Sequence, residues 1–158
     1  MYTLPNNLPG HSRVWVYQSN RKLTEFEENQ IQNMGQEFVE NWTAHNQTLL
    51  ASFEIRYHYF LIFSIDQNHA FASGCSIDKS VHFIQKVEKE FGITLLDRML
   101  ISYKDGDEIQ IKKLNEFTDM LKRKEINSDT IVFNNLVDTK EALQSEWEIP
   151  VSKSWHGK

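Results

Sequence analysis

The chain has little of what small proteins use to staple themselves or to cross a boundary: one cysteine, three prolines and six glycines in 158 residues. A lone thiol cannot close an internal disulfide, so nothing calls for an oxidising compartment. Before Arg13 there is no basic start followed by an apolar run of the secretory kind, only turn chemistry from Pro5, Pro9 and Gly10. The longest apolar stretch, Tyr57 to Ile65, is interrupted by His58 and Ser64 and is about half of what a bilayer-spanning helix needs. These absences predict a cytoplasmic protein with no membrane partner.

An excess of positive charge is also missing. Seventeen basic residues against 22 acidic ones give a net charge of −5, and the one basic triplet, Lys122-Arg123-Lys124, closes a predicted helix whose dipole it complements. Nucleic acid is therefore not an expected partner. The histidines at 11, 45, 58, 69, 82 and 156 lack the short paired spacings of a zinc site, and one cysteine removes the usual structural types, so no metal and no cofactor is expected.

What is present is ordinary globular composition, 40% hydrophobic and 25% charged. A chain of this length buries roughly 70% of its unfolded surface, enough for a core without staples. A single domain over residues 1–158 is expected, with no repeat or linker. Residues 1–12 read as an irregular lead-in. Val14-Trp15-Val16-Tyr17 reads as a strand covered on both faces. Thr24 and Glu27 have capping-box spacing, and Ile31, Met34, Phe38 and Trp42 form the apolar stripe of a helix. From Ala51 the period changes to two, and Tyr59 to Ile65 is its natural antiparallel neighbour, although the Tyr57-His58 junction lacks a hairpin glycine.

A polar loop from Asp66 to Ser76 leads into a second helix, striped by Ile77, Val81, Ile84, Val87 and Phe91 and stopped at Gly92. Strands at 99–103 and 108–111 flank Asp105-Gly106, a hairpin signal. A helix over 116–124, a strand over 130–133, a helix opened by Asp138 and a tail from Pro150 complete the reading. The predicted class is α+β: a mostly antiparallel sheet with helices packed on one face. Residues 13–103 follow the βαββαβ order of a ferredoxin-like core, extended at the C-terminus.

The chemistry converges on Ser73-Gly74-Cys75-Ser76. Unpaired amides at a helix start favour anions, so Ser73, Gly74, Cys75 and Ser76 are candidate ligand-binding residues for a small phosphate or carboxylate. The same placement would lower a thiol pKa, which makes Cys75 a candidate nucleophile with His82 as base and Asp78 as its orienting acid. Helix capping alone accounts for the same residues, with Ser76 as the cap and Asp78 as a first-turn acid. The phosphatase spacing of Cys, five residues and Arg fails, since Val81 stands where the arginine belongs.

Ser73 to Asp78, together with Arg13 to Gln18 and Thr130 to Val137, resembles a family of short uncharacterised bacterial proteins often labelled "ABC transporter ATPase". The resemblance implies a small cytoplasmic protein and supplies no catalytic residue. A P-loop requires two glycines five apart before Lys and Ser or Thr. The glycines stand at 10, 35, 74, 92, 106 and 157, and the one Gly-Lys pair is Gly157-Lys158. The expectation is thus a non-enzymatic binding or interaction module for a small anion or a protein partner, with sheet edges as a route to oligomers. The alternative is a thiol enzyme or redox sensor at Cys75, and ATP hydrolysis is the weakest reading.

Overall fold

The computed structural model describes residues 8–68 and 70–157; the first seven residues of the predicted lead-in, His69 and Lys158 lie outside the described residues. Its centre is the apolar run, which forms strand β5 (Phe60–Ile65) with all six residues buried. The first strand, β1 (Arg13–Gln18), lies antiparallel on one side of it and β4 (Ala51–Arg56) on the other. Alternation splits β5 between two cores. Leu61, Phe63 and Ile65 face one core with Phe53 and Ile31, while Phe60 and Ile62 face another with Phe133 and Trp147.

Two helices cover the first face. Helix α1 (Glu25–Glu40) opens with the predicted capping box: Thr24 Oγ1 accepts from the Glu27 N–H at 3.1 Å, and the Glu27 carboxylate accepts from the Thr24 N–H at 2.9 Å. Helix α2 (Gly74–Phe91) ends at Gly92 in the left-handed conformation. Arg21 ties the two helix ends together, with both Nη atoms donating to Glu27 and Nη2 also to the Phe91 carbonyl. That pairing holds the Glu27 carboxyl down at about 2. At the opposite ends, buried Trp42 donates its indole N–H to the Ser76 carbonyl at 2.8 Å.

The class is α+β, with antiparallel sheets and packed helices. The ferredoxin-like core is not completed. Strands β1, β5 and β4 have its arrangement, but the next strand, β6 (Leu100–Asp105), leaves them and joins a second sheet with β7 (Glu108–Lys113), β8 (Ile131–Phe133) and β9 (Glu148–Pro150) in the order β7-β6-β8-β9. Two acidic side chains turn the chain away. Glu88 on α2 accepts from the Leu95 and Leu96 N–H groups at 2.7 and 3.2 Å, and Asp97 accepts from Met99. Helices α3 (Leu114–Lys122) and α4 (Lys140–Ser145) belong to this second half.

Several local readings shift. The β4–β5 hairpin turns at Tyr57 and His58, both left-handed at φ 57° and 66° without glycine. Such residues cost of order 1 kcal/mol each. The Leu23 N–H to the His58 carbonyl, His58 to Glu28 and the Tyr57 hydroxyl to Glu148 hold them there. A hairpin of β2 (Thr43–Ala44) and β3 (Gln47–Thr48) follows α1, which ends before Trp42. Thr139, not Asp138, caps α4, and Pro150 sits on an edge strand, where a missing N–H is tolerated.

Gly35 shows how tightly α1 lies on the sheet, because a Cβ there would overlap the Phe53 ring. Alanine regains about 1 kcal/mol of helix propensity, but a clash in a closed core costs more. Gly35→Ala should lose about 2 kcal/mol in urea unfolding, whereas Gly74→Ala, with open space around it, should change stability by under about 1 kcal/mol.

Candidate functional site

The structure places the helix start three residues earlier than the sequence pattern does. Ser73, not Ser76, is the N-cap, and Gly74, Cys75 and Ser76 form the first turn. A reciprocal box joins Ser73 and Ser76: the Ser76 N–H donates to Ser73 Oγ at 3.1 Å and the Ser73 N–H to Ser76 Oγ at 2.7 Å. Two of the amides that would hold an anion are therefore engaged. Cys75 is exposed, as are Asp78 and His82, and no hydrogen bond or ion pair among the described residues joins the three. No group of three or more metal-ligating side chains occurs among the described residues, and no described helix is long and apolar enough to cross a membrane.

A different place has the shape of a site. Where β6 abandons the first sheet it leaves a cavity of about 300 Å³ beside β1, walled by residues 95–98, 100 and 101 on one side and 133 and 135–138 on the other, with Trp155 and His156 completing the lining. The bond from Ser19 N–H to the Tyr59 carbonyl fixes the ladder parity, so the odd residues of β1 pair with β5 and the even ones point outward. At one end of this outer edge the Val14 N–H donates to Asp138, and at the other the Asn20 N–H donates to Thr94. Between them the N–H and carbonyl groups of Val16 and Gln18 have no hydrogen-bond partner among the described residues.

The Gln18 side chain spans the two sheets beneath this window. It is 6% exposed, and its Oε1 accepts from Ser102 Oγ at 2.6 Å and from Asn135 at 2.9 Å, while Asn135 in turn accepts from the Trp147 indole. Its Nε2 has no partner among the described residues, a rare state for a buried amide. Above the window the rim is apolar and wet. Leu96, Leu136 and Trp155 are 37%, 68% and 40% exposed, three large hydrophobic side chains around one opening. Burial pushes the Tyr17 hydroxyl up, with a Ser80 hydrogen bond and the Arg98 charge opposing.

Sequence reasoning missed this cleft because its parts come from four stretches of chain. One local signal is present in the sequence, the aromatic pair Trp155-His156 in the short tail after Pro150. Trp155 stays on the rim and stacks on His156 at 3.9 Å between ring centroids, and His156 is buried. The Ser154 hydroxyl gives its proton to the Val151 carbonyl, so His156 Nδ1 is the donor in its 3.0 Å contact with Ser154 Oγ. A second cavity, of about 400 Å³, borders Tyr57, His58, Lys22 and Lys104, but Lys104 is already paired with Glu148. Neither cavity is lined by Ser73, Gly74, Cys75 or Ser76.

Desolvation lowers the His156 pKa to about 4 from an ordinary 6.5. The unfolded chain then binds the proton that the folded chain refuses, so this contribution is whole above about pH 6.5 and declines as pH falls toward 4. Thermal unfolding between those limits should show a loss approaching roughly 3 kcal/mol, and His156→Phe should flatten that slope.

Comparison with protein-family models, curated proteins and solved structures returns no match.

Proposed function

We propose that the protein is a non-enzymatic binding module whose ligand seat is the cleft beside β1. One observation carries this reading: three exposed hydrophobic side chains, Leu96, Leu136 and Trp155, line a cleft whose wall has backbone groups with no partner among the described residues. Exposed apolar side chains gathered around a concavity are what a partner or ligand would cover. Scattered singly they would mean nothing.

The anion seat at Ser73–Ser76 has less in its favour. Its capping box engages two amides, leaving the Gly74 and Cys75 N–H groups at the open end of α2. The thiol alternative has the exposure of Cys75 behind it and no assembled base. ATP hydrolysis has no phosphate loop to work with. Self-association through the outer strand β7 is opposed by Glu108, Lys112 and Lys113, charges of the kind that blunt an edge.

Methyl-resolved NMR against a panel of small apolar amides tests the seat. Signals of Val14, Val16, Leu96 and Leu136 should shift together. Leu136→Asp should weaken binding at least fivefold with little change in melting temperature, since the side chain is exposed, and Cys75→Ser should leave binding unchanged. Shifts clustered on residues 73–78 and lost in Cys75→Ser would move the seat to the helix start.

A further inference from the structure

We infer that the ligand of this cleft is an extended peptide segment of a partner protein, which adds to β1 as the strand that β6 does not supply. The inference rests on the cleft being the ligand seat and names what fills it. Four backbone groups on the outer edge of β1, the N–H and carbonyl of Val16 and of Gln18, lack partners among the described residues while lining a cavity. Their spacing is that of an open ladder: an antiparallel segment with one residue opposite Val16 and another opposite Gln18 makes all four bonds. A backbone is the one ligand that presents alternating donors and acceptors at this period.

The window also fixes the length. Residues 138–140 already pair with residues 12–14, through Val14 N–H to Asp138 and Lys140 N–H to Ser12, and Thr94 holds Asn20. Five positions are free, those opposite Trp15 to Ser19, and the bonds fall within the three opposite Val16 to Gln18, a span of about 10 Å. The chain's own nearest candidate is held off, because the Leu95 and Leu96 amides are bound to Glu88. A second copy of β1 does not fit either. Its edge is recessed behind the same walls, and two recessed edges cannot meet. A slender tail or loop tip reaches where a sheet edge cannot.

Side-chain character follows from the walls. Arg13 and Arg98 line the cleft with Asp97 and Asp138, two charges of each sign, so the lining selects no net charge. Outside β1 the rest of the lining is uncharged and mostly apolar, with Leu96, Leu136 and Trp155 among it and Asn135 and the neutral His156 as its polar members. The segment is therefore uncharged over its paired residues, with apolar or β-branched side chains on both faces, the composition that also favours extended backbone.

The probe is acetyl-Val-Thr-Val-amide at millimolar concentration with isotope-labelled full-length protein, read by amide hydrogen exchange and methyl shifts. In free protein the Val16 and Gln18 amides should exchange rapidly while those of Trp15 and Tyr17, paired with β5, are protected. With peptide, Val16 and Gln18 should slow at least tenfold. Val16→Pro removes an N–H that the fold does not use, at an edge where proline is tolerated, and should abolish peptide binding while retaining the Trp15 and Tyr17 protection. Val16 and Gln18 already protected without peptide would overturn the inference, as a segment of this chain would then cover the edge. Methyl shifts at Leu96 and Leu136 without slowed exchange would also overturn it. If apolar amides bind the cleft and peptide does not, strand addition fails and the seat stands; if neither binds, both fail.

Discussion

The structure depends on burying both faces of one strand. A half-buried strand needs one apolar layer; β5, with Phe60 to Ile65 wholly inside, needs two. Leu61, Phe63 and Ile65 demand the helical layer, and Phe60 and Ile62 demand a second cover, which the C-terminal half provides with Phe133, Leu143 and Trp147. Each fully buried side chain of this size contributes about 1.5–3 kcal/mol, so neither layer is optional. The consequence is a layered molecule in which the C-terminal residues are structural partners of the N-terminal sheet.

The cleft is a by-product of that requirement. A fourth strand beside β1 would complete the first sheet, but β6 is occupied in the second, pairing β7 along its full length and meeting β8 at Tyr103 and Val132. Two polar devices keep the halves at their spacing. The Glu88 carboxylate captures the chain where it would have turned onto β1, and the Ser102, Gln18, Asn135 and Trp147 network bridges the sheets from below. Breaking this buried network strands the surviving partners, at about 1–3 kcal/mol for each group. The window is therefore built into the fold, and among the described residues none takes its backbone groups.

Much of the fold was legible in the sequence and most of the cleft was not, for one physical reason. Periodicity and caps are local: the Thr24 box, the change to a two-residue period at Ala51, the run at 59–65 and the stop at Gly92 each reflect neighbours in sequence. Tertiary contacts decided the rest. No local signal marks Tyr57 and His58 as left-handed, since distant Leu23, Glu28 and Glu148 hold them there. Ser76 looked like a cap because it precedes the apolar stripe, yet the serine three residues earlier completes a better box. The route of β6 turns on Glu88, an acid on a helix surface with nothing in its sequence context to set it apart. An edge becomes a site by what fails to pair with it, and that has no sequence pattern.

The titratable groups with the clearest shifts have structural causes. A general acid or base works best with a pKa near the working pH, within reach of the reacting atom. Glu27 at about 2 is held by Arg21 across two helix ends, and Lys104 is raised by Glu148 at the second sheet, both consistent with ion pairs that organise structure. In the cleft, His156 lies near 4, its Nδ1–H committed to Ser154 and its ring stacked under Trp155. At neutral pH such an imidazole is an uncharged aromatic surface. The cleft thus presents a strip of backbone, an apolar rim and a neutral ring, the three features on which the proposed strand addition rests.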